Sequence, residues 1–486
     1  MSATRALILF TLPSRLFRMS AFWLLLCLLQ VATAPQLMAA GLIRDTEIEH
    51  YLLKIARPMA AKAGLDADSL QLRIVLDPSY NAFVSAENAI FIHSGMLIEA
   101  DSMLEIAGVM AHEIGHIAAG HVPRRAETVA NASSFSLLGA VLAMGLTATG
   151  NADAAAGVLA GSMDGSTKMI MAHSRQDERV ADQWAIKLME QQQYSIRPMT
   201  ELMRRLASQR MLPQGAQSRY YASHPGAMER SITFKDHETR SDYTAIPQPP
   251  WMQQAHQRIR AKLRGWADPP GTTLLNTSQT ENPNTAENTS FNNTAANSQL
   301  SQAELALFRR AIALFRKGDN TAALEVMENL VRRHPDDAWL VEFQADILRN
   351  NGMNSAAITA YRHSLEQLPA AANGGQIRLS LARALLASGS ADDLAEAIPL
   401  LEQAVRDEPE WAFVRRQLGI AYGRSGQATA ADLALAEEAM LRRDHDMASR
   451  LARRVTSHDN ATAVQRQLAS DILINLSQGR ERAKTP

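Results

Sequence analysis

Apolar residues recur at helical spacing from Ser102 to Gly120 (SMLEIAGVMAHEIGHIAAG), with Asp101 just ahead and a glycine at the far end; the pattern predicts a buried helix. Upstream, Leu72-Arg-Ile-Val-Leu and Ala89-Ile-Phe-Ile-His read as short extended runs parted by the turn-like Asp77-Pro-Ser-Tyr-Asn-Ala. The stretch from Ala89 to Ile92 is either an exposed sheet edge on which an extended chain could pair or an ordinary internal strand. Residues 269–300, rich in Asn, Thr and Ser, hold little that could join a core and read as a linker or exposed loop. Beyond them the pattern is helical throughout. The expected fold class is α+β, with a mainly helical domain over 41–268 followed by an all-α array over 301–486.

That array repeats. Ala311, Gly318, Ala323 and Pro335 recur 34 residues later as Ala345, Gly352, Ala357 and Pro369, and 34 is the tetratricopeptide period. A third unit carries Ala382, Gly389 and Pro409, and a fourth carries Leu418, Gly419, Tyr422, Gly426 and Ala431. Each unit predicts a helix pair, and stacked pairs make a solenoid whose concave face suits segments of other proteins.

Residues 1–40 read as an export signal: Arg5, Arg15 and Arg18 precede an apolar core from Phe22 to Leu29 that fades into Ala32, Ala34, Ala39 and Ala40. Cleavage is expected near Ala40 or Gly41, with an uncleaved anchor as the alternative. Cys27, inside that core, is the only cysteine, so the exported protein can form no disulfide and carry no thiol nucleophile. Export without cysteine fits a bacterial periplasm. A balance of 49 Lys+Arg against 50 Asp+Glu, without a basic tract, argues against nucleic acid as a partner. The apolar run from Phe135 to Leu146 is short for a membrane span and reads as a hairpin or lid touching the membrane surface peripherally, or as plain core packing.

The chemistry concentrates in His112-Glu113-Ile114-Gly115-His116. Residues four apart on a helix share a face, so the two imidazoles converge on a point that can hold a metal, while Glu113 can take a proton from an attacking water. Composition alone would produce such a pentapeptide about once in a hundred chains of this kind. A catalytic zinc takes three protein ligands, and the extended pattern that supplies a third histidine fails here, because Gly120 and His121 each fall one place wrong. Glu178 and Asp182, four apart on a helical segment, are the candidates: Glu178 to bind the metal and Asp182 to accept a bond from the distal nitrogen of a ligand histidine. A surface pair of acids would show the same spacing.

The pair His112-Glu-x-x-His116 and Glu178-Arg-Val-Ala-Asp182, with Ser223-His224-Pro225 and Arg230 downstream, resembles the zinc metallopeptidases that include the CAAX prenyl proteases and the heat-shock protease HtpX. The resemblance implies a zincin-type metalloprotease domain with one Zn2+ per chain, His112, His116 and Glu178 as ligands, Glu113 as general base and Asp182 behind a ligand histidine. It implies His224 as a displaceable fourth ligand that holds the site latent, with a mere cleft-lining role as the alternative. His93, His121 and His173 receive no role from it, and Arg230 either orients ligands, stabilises an oxyanion or is structural. With the signal and the repeats, it implies a periplasmic endopeptidase of unfolded polypeptides. Its substrates would be misfolded or stalled outer-membrane beta-barrel proteins, and the repeats would contact them or their assembly machinery. The alternative is an assembly chaperone whose protease site is usually latent.

Overall fold

Asp45 starts the first helix by accepting a bond from the Ile48 amide at 3.0 Å, and α1 (Thr46–Lys62) then buries Ile48, Leu52, Ile55 and Met59. The computed structural model describes residues 41–85, 88–121, 175–213, 217–277 and 299–482. From Leu42 onward these fall in one unit. The export signal, His173, the apolar run from Phe135 and most of the Asn/Thr-rich segment lie outside the described residues.

Four short strands share the core of α1: β1 (Leu42–Ile43), β2 (Gln71–Val75), β3 (Ala82–Val84) and β4 (Ala89–His93). Their order is β1-β2-β4-β3, with β2 and β4 parallel, Leu72 opposite Ile90 and Ile74 opposite Ile92. β1 and β3 run antiparallel to their neighbours. β4 is therefore internal, and the edge on this side is β3, with Phe83 partly exposed. Three residues are too few for an alternating pattern to declare themselves a strand, which is why the sequence points to β4 instead.

A short helix, α2 (Ser94–Glu99), leads into α3 (Met103–Ala118), the predicted metal helix. Ser102 caps it, accepting from the Glu105 amide at 3.2 Å, and every residue from Met103 to His116 is buried. A helix covered all round belongs at the centre of a core. Around it lie α4 (175–191), α5 (Arg197–Ser208), α6 (Arg219–Ser223), α7 (Ala227–Glu238) and α8 (Pro250–Ala267). Met199 and Leu202 of α5 and Met252 and Ile259 of α8 join Ile106, Val109, Met110 and Ile114 in one apolar cluster.

α8 also turns toward the repeats. A Cβ on Gly265 would sit 2.9 Å from Ile312, so the absence of a side chain there lets the first repeat helix close onto α8. Within the segment expected as a linker, Pro270–Thr277 instead forms helix α9, with Thr273 and Thr277 buried and the Thr277 hydroxyl bonded to the Thr273 carbonyl. Leu274 packs partly into the core of the first repeat, an anchor that the polar composition hides.

The repeats are helix pairs. They comprise α10 (Gln302–Lys317) with α11 (Asn320–Arg333), α12 (Ala338–Asn350) with α13 (Asn354–Gln367), α14 (Gly375–Ser388) with α15 (Ala391–Asp407), and α16 (Ala412–Arg424) with α17 (Ala428–Leu441). Gly318, Gly352, Gly389 and Gly426 take positive φ at the turn inside each pair, where a side chain would be strained. A further pair, α18 (His445–Ser457) with α19 (Ala463–Arg482), follows without such a glycine and so gave no signal in the repeat pattern. No helix among the described residues is long and apolar enough to cross a membrane.

Candidate metal centre

His112 and His116 point Nε2 inward from α3, 3.1 Å apart. Glu178, one turn into α4, brings Oε2 to 3.3 Å from His112 Nε2 and Oε1 to 3.5 Å from His116 Nε2. His224, just past α6, places Nδ1 3.1 Å from both Glu178 oxygens and 3.3 Å from His112 Nε2. One ligand atom from each of these four buried residues lies within 4.8 Å of the others. Three imidazoles and a carboxylate thus turn ligand atoms toward one buried point. The donor set suits a metal ion.

The approach of α4 to α3 depends on Gly115, the residue between the two ligand candidates on the facing side. A Cβ there would meet Trp184 Cβ at 2.7 Å and the Ala181 carbonyl at 3.0 Å. Glycine inside a helix costs about 1 kcal/mol relative to alanine, and here it admits the neighbour that carries Glu178 and Asp182. Gly115→Ala is expected to destabilise the fold by about 1–3 kcal/mol through overpacking and to lower bound metal. Thermal unfolding with metal analysis checks this, and unchanged values in both would show that the helices have room to part.

Behind the four donors sits an ionic layer. Asp182 Oδ1 is 3.0 Å from His112 Nδ1. Arg230 of α7 forks onto Asp182 with Nε at 2.8 Å and Nη2 at 2.7 Å, and its Nη1 reaches Glu178 Oε2 at 2.9 Å. Burial pushes the Asp182 and Glu178 carboxyls up, but Arg230 holds Asp182 below the usual range, and His224 with Arg230 holds Glu178 well below it. Burial also keeps the His116 imidazole below its ordinary value, whereas for His112 burial and Arg230 are outweighed by Asp182 and Glu178, which raise it to about 9 when no metal is bound. Ionised carboxylates and a neutral imidazole are the forms that bind metal.

Glu113 differs from its neighbours. Both its oxygens are buried with no hydrogen-bond partner among the described residues, as are His224 Nε2, 3.6 Å from Glu113 Oε1, and the Tyr220 hydroxyl. A buried carboxylate without a partner is costly to retain, so its place beside the donors calls for a chemical role.

Residues 44–236 match the family described as peptidase family M48, and residues 305–337 match a tetratricopeptide repeat. The chain carries a peptidase family M48 domain. Similar curated proteins include the beta-barrel assembly-enhancing protease of Yersinia pestis, 21% identical over 336 residues, or 67% of this chain and 63% of that protein. The beta-barrel assembly-enhancing protease of Escherichia coli K12 is 21% identical over 360 residues, 74% of this chain and 69% of that protein. Metalloprotease LoiP of the same strain is 27% identical over 182 residues, 36% of this chain and 64% of that protein. The Yersinia and LoiP matches thus span less than two thirds of those proteins' lengths.

Within the M48 domain, His112, Glu113, His116, Glu178, Asp182 and His224 come together as a single cluster. His93 does not join it; its Nδ1 faces Ser79 Oγ at 2.9 Å at the end of β4. Arg230 is more than a lone arginine: only the fold reveals that two buried acids share it. Gly115 carried a readable signal, since a glycine inside a helical pattern marks a close approach.

Proposed function

We propose that this chain is a periplasmic zinc endopeptidase that acts on misfolded or stalled outer-membrane beta-barrel proteins and assists their assembly, with its repeats recruiting substrate or the assembly machinery. The four-donor cluster inside the M48 domain carries the peptidase reading, and the names of the relatives support the substrate class. The export signal read from the sequence supports the compartment.

In this reading His112, His116 and Glu178 hold zinc, and Asp182 keeps the His112 proton on Nδ1 so that Nε2 is free to bind. Bound zinc supplies Lewis acidity, which polarises a peptide carbonyl and acidifies water. Glu113 accepts the proton of the attacking water and passes it to the leaving amine, acting as base and then acid. The substrate backbone pairs with the edge strand β3, which lies against α3. Arg230 keeps both acids ionised. At the junction with the repeats, a cavity of about 500 Å³ lined by Trp339, Phe343 and Trp411 together with Lys262, Glu342 and Arg383 offers a site of mixed apolar and charged character for a recruited segment.

His224 completes a four-protein-ligand set, and a set with no open position is the mark of a structural site rather than a catalytic one. This observation favours a second reading, an assembly factor whose cleavage is normally shut off by His224. The test is zinc analysis with casein digestion, with and without a chelator, on the wild type and on His224→Ala. We expect one zinc per chain in both, chelator-sensitive cleavage, and faster digestion by the variant. Joint loss of zinc and cleavage in the variant would make His224 an obligatory ligand and end the latch; wild-type protein without zinc would end the metallopeptidase reading itself.

A further inference from the structure

We infer that His121 and Asp177 are positioning residues for His116, forming a relay that fixes the ring of this metal ligand from behind. The inference rests on the metal-site reading above and assigns roles to two residues that the motifs leave without any.

An imidazole that binds metal through one nitrogen presents the other as N–H and needs an acceptor for it. His112 and His116 both face the donor cluster with Nε2, so their Nδ1 atoms point outward. For His112 the acceptor is Asp182, at 3.0 Å. Among the described residues, no carboxylate plays that part for His116. Its Nδ1 instead lies 2.8 Å from Nδ1 of His121, a residue only 4% exposed. Two ring nitrogens at that distance require one donor and one acceptor. With the His116 Nε2 lone pair directed at the metal position, its proton sits on Nδ1, and His121 Nδ1 accepts.

That acceptance fixes the second tautomer. His121 then carries its own proton on Nε2, and Nε2 lies 3.5 Å from Asp177 Oδ1. Donation runs from His116 to His121, whose Nε2–H then faces the Asp177 carboxylate as a charge contact, whereas His112 meets its carboxylate directly. Asp177 is partly exposed, so the far end of the relay is solvated while its middle is dry.

Backbone conformation makes the contact. On an unbroken helix, residues five apart would be turned about 140° from each other, too far for ring nitrogens to meet. Gly120 takes φ +66° directly after α3, ends the helix and redirects the chain so that His121 folds back onto His116. The other end is set by α4, whose first turns supply Asp177 beside Glu178 and, one turn on, Asp182. One helix therefore gives a metal ligand and the anchor of each histidine, and the Gly115 contact that seats α4 seats all three.

The test is the zinc dissociation constant of the full chain, measured by competition with a chromophoric chelator. His121→Ala is expected to weaken zinc by about 10- to 100-fold, the usual effect of removing such a partner. His121→Asn, whose side-chain oxygen can accept in place of Nδ1, should recover most of that loss. Asp177→Ala should weaken zinc less, and adding it to His121→Ala should change nothing further, because Asp177 acts only through His121. Wild-type affinity in His121→Ala overturns the inference, as does a double variant whose losses add. Should His121→Ala fold poorly, the partly exposed Asp177→Ala decides by itself: unchanged affinity there overturns the relay. Wild-type protein that binds no zinc overturns the metal-site reading as well, which separates the two failures.

Discussion

Glu113→Gln is expected to lower peptide hydrolysis by about 10²- to 10⁴-fold while zinc stays bound at one per chain. The side chains are nearly the same size, and neither Glu113 oxygen has a hydrogen-bond partner among the described residues, so the exchange breaks no bond there. Glu113 also lies outside the four-donor cluster, so the metal keeps its ligands. What changes is proton chemistry: an amide cannot take a proton from water or return one to the leaving amine. Casein digestion with zinc analysis reads both effects. Activity within tenfold of the wild type would remove Glu113 as the base, and lost zinc would make it a ligand. The same variant separates the two functional readings in cells. If it still supports barrel assembly, the repeats act without cleavage; if assembly fails with cleavage, proteolysis is the function.

Local chemistry was legible in the sequence wherever spacing on one helix carries it. His112, Glu113 and His116 are such a case, and so are Glu178 and Asp182, since each set shares one turn. The 34-residue period was legible because glycines at positive φ mark the turns, and the last pair was missed because its turn contains none. What remained hidden depends on contacts between distant segments. Arg230 meets Asp182 across 48 positions, and His121 meets His116 only because Gly120 breaks the helix between them. The edge strand β3 was lost to its brevity. The domain limits near 268 and 301 follow the composition, yet the parts are joined by helices on both sides of them: α8 packs on α10, and α9 lies inside the polar segment.

Arg258→Ala is expected to cost about 3–5 kcal/mol of stability. Arg258 projects from α8 and is 5% exposed. Its Nε contacts Glu47 Oε1 at 2.5 Å in α1, while Nη1 and Nη2 reach the two oxygens of Asp337 at 2.6 and 3.1 Å. Asp337 is the cap of α12, so one guanidinium ties the first helix of the M48 domain to the second repeat. Burial pushes Glu47 up, and Arg258 with Lys262 more than reverses it, holding the carboxylate below its usual range. Removing Arg258 leaves Glu47, 1% exposed, with Lys262 alone, 3.1 Å away, and strips the fork from Asp337. A buried carboxylate that has lost one of its two cations is poorly compensated, so Arg258→Met should destabilise comparably despite filling the space. Arg258→Lys keeps the charge but cannot serve two carboxylates in one plane, and should fall between. Differential scanning calorimetry measures all three. A melting temperature unchanged in Arg258→Ala would mean that apolar contacts such as Trp266 against Phe315 and Phe343 hold the junction unaided. Zinc content in the same samples extends the argument, because α8 also places Met252 and Ile259 in the core around the metal helix. Destabilisation with zinc retained would confine the network to joining the two parts, whereas zinc lost in proportion would make the repeats part of what holds the site together.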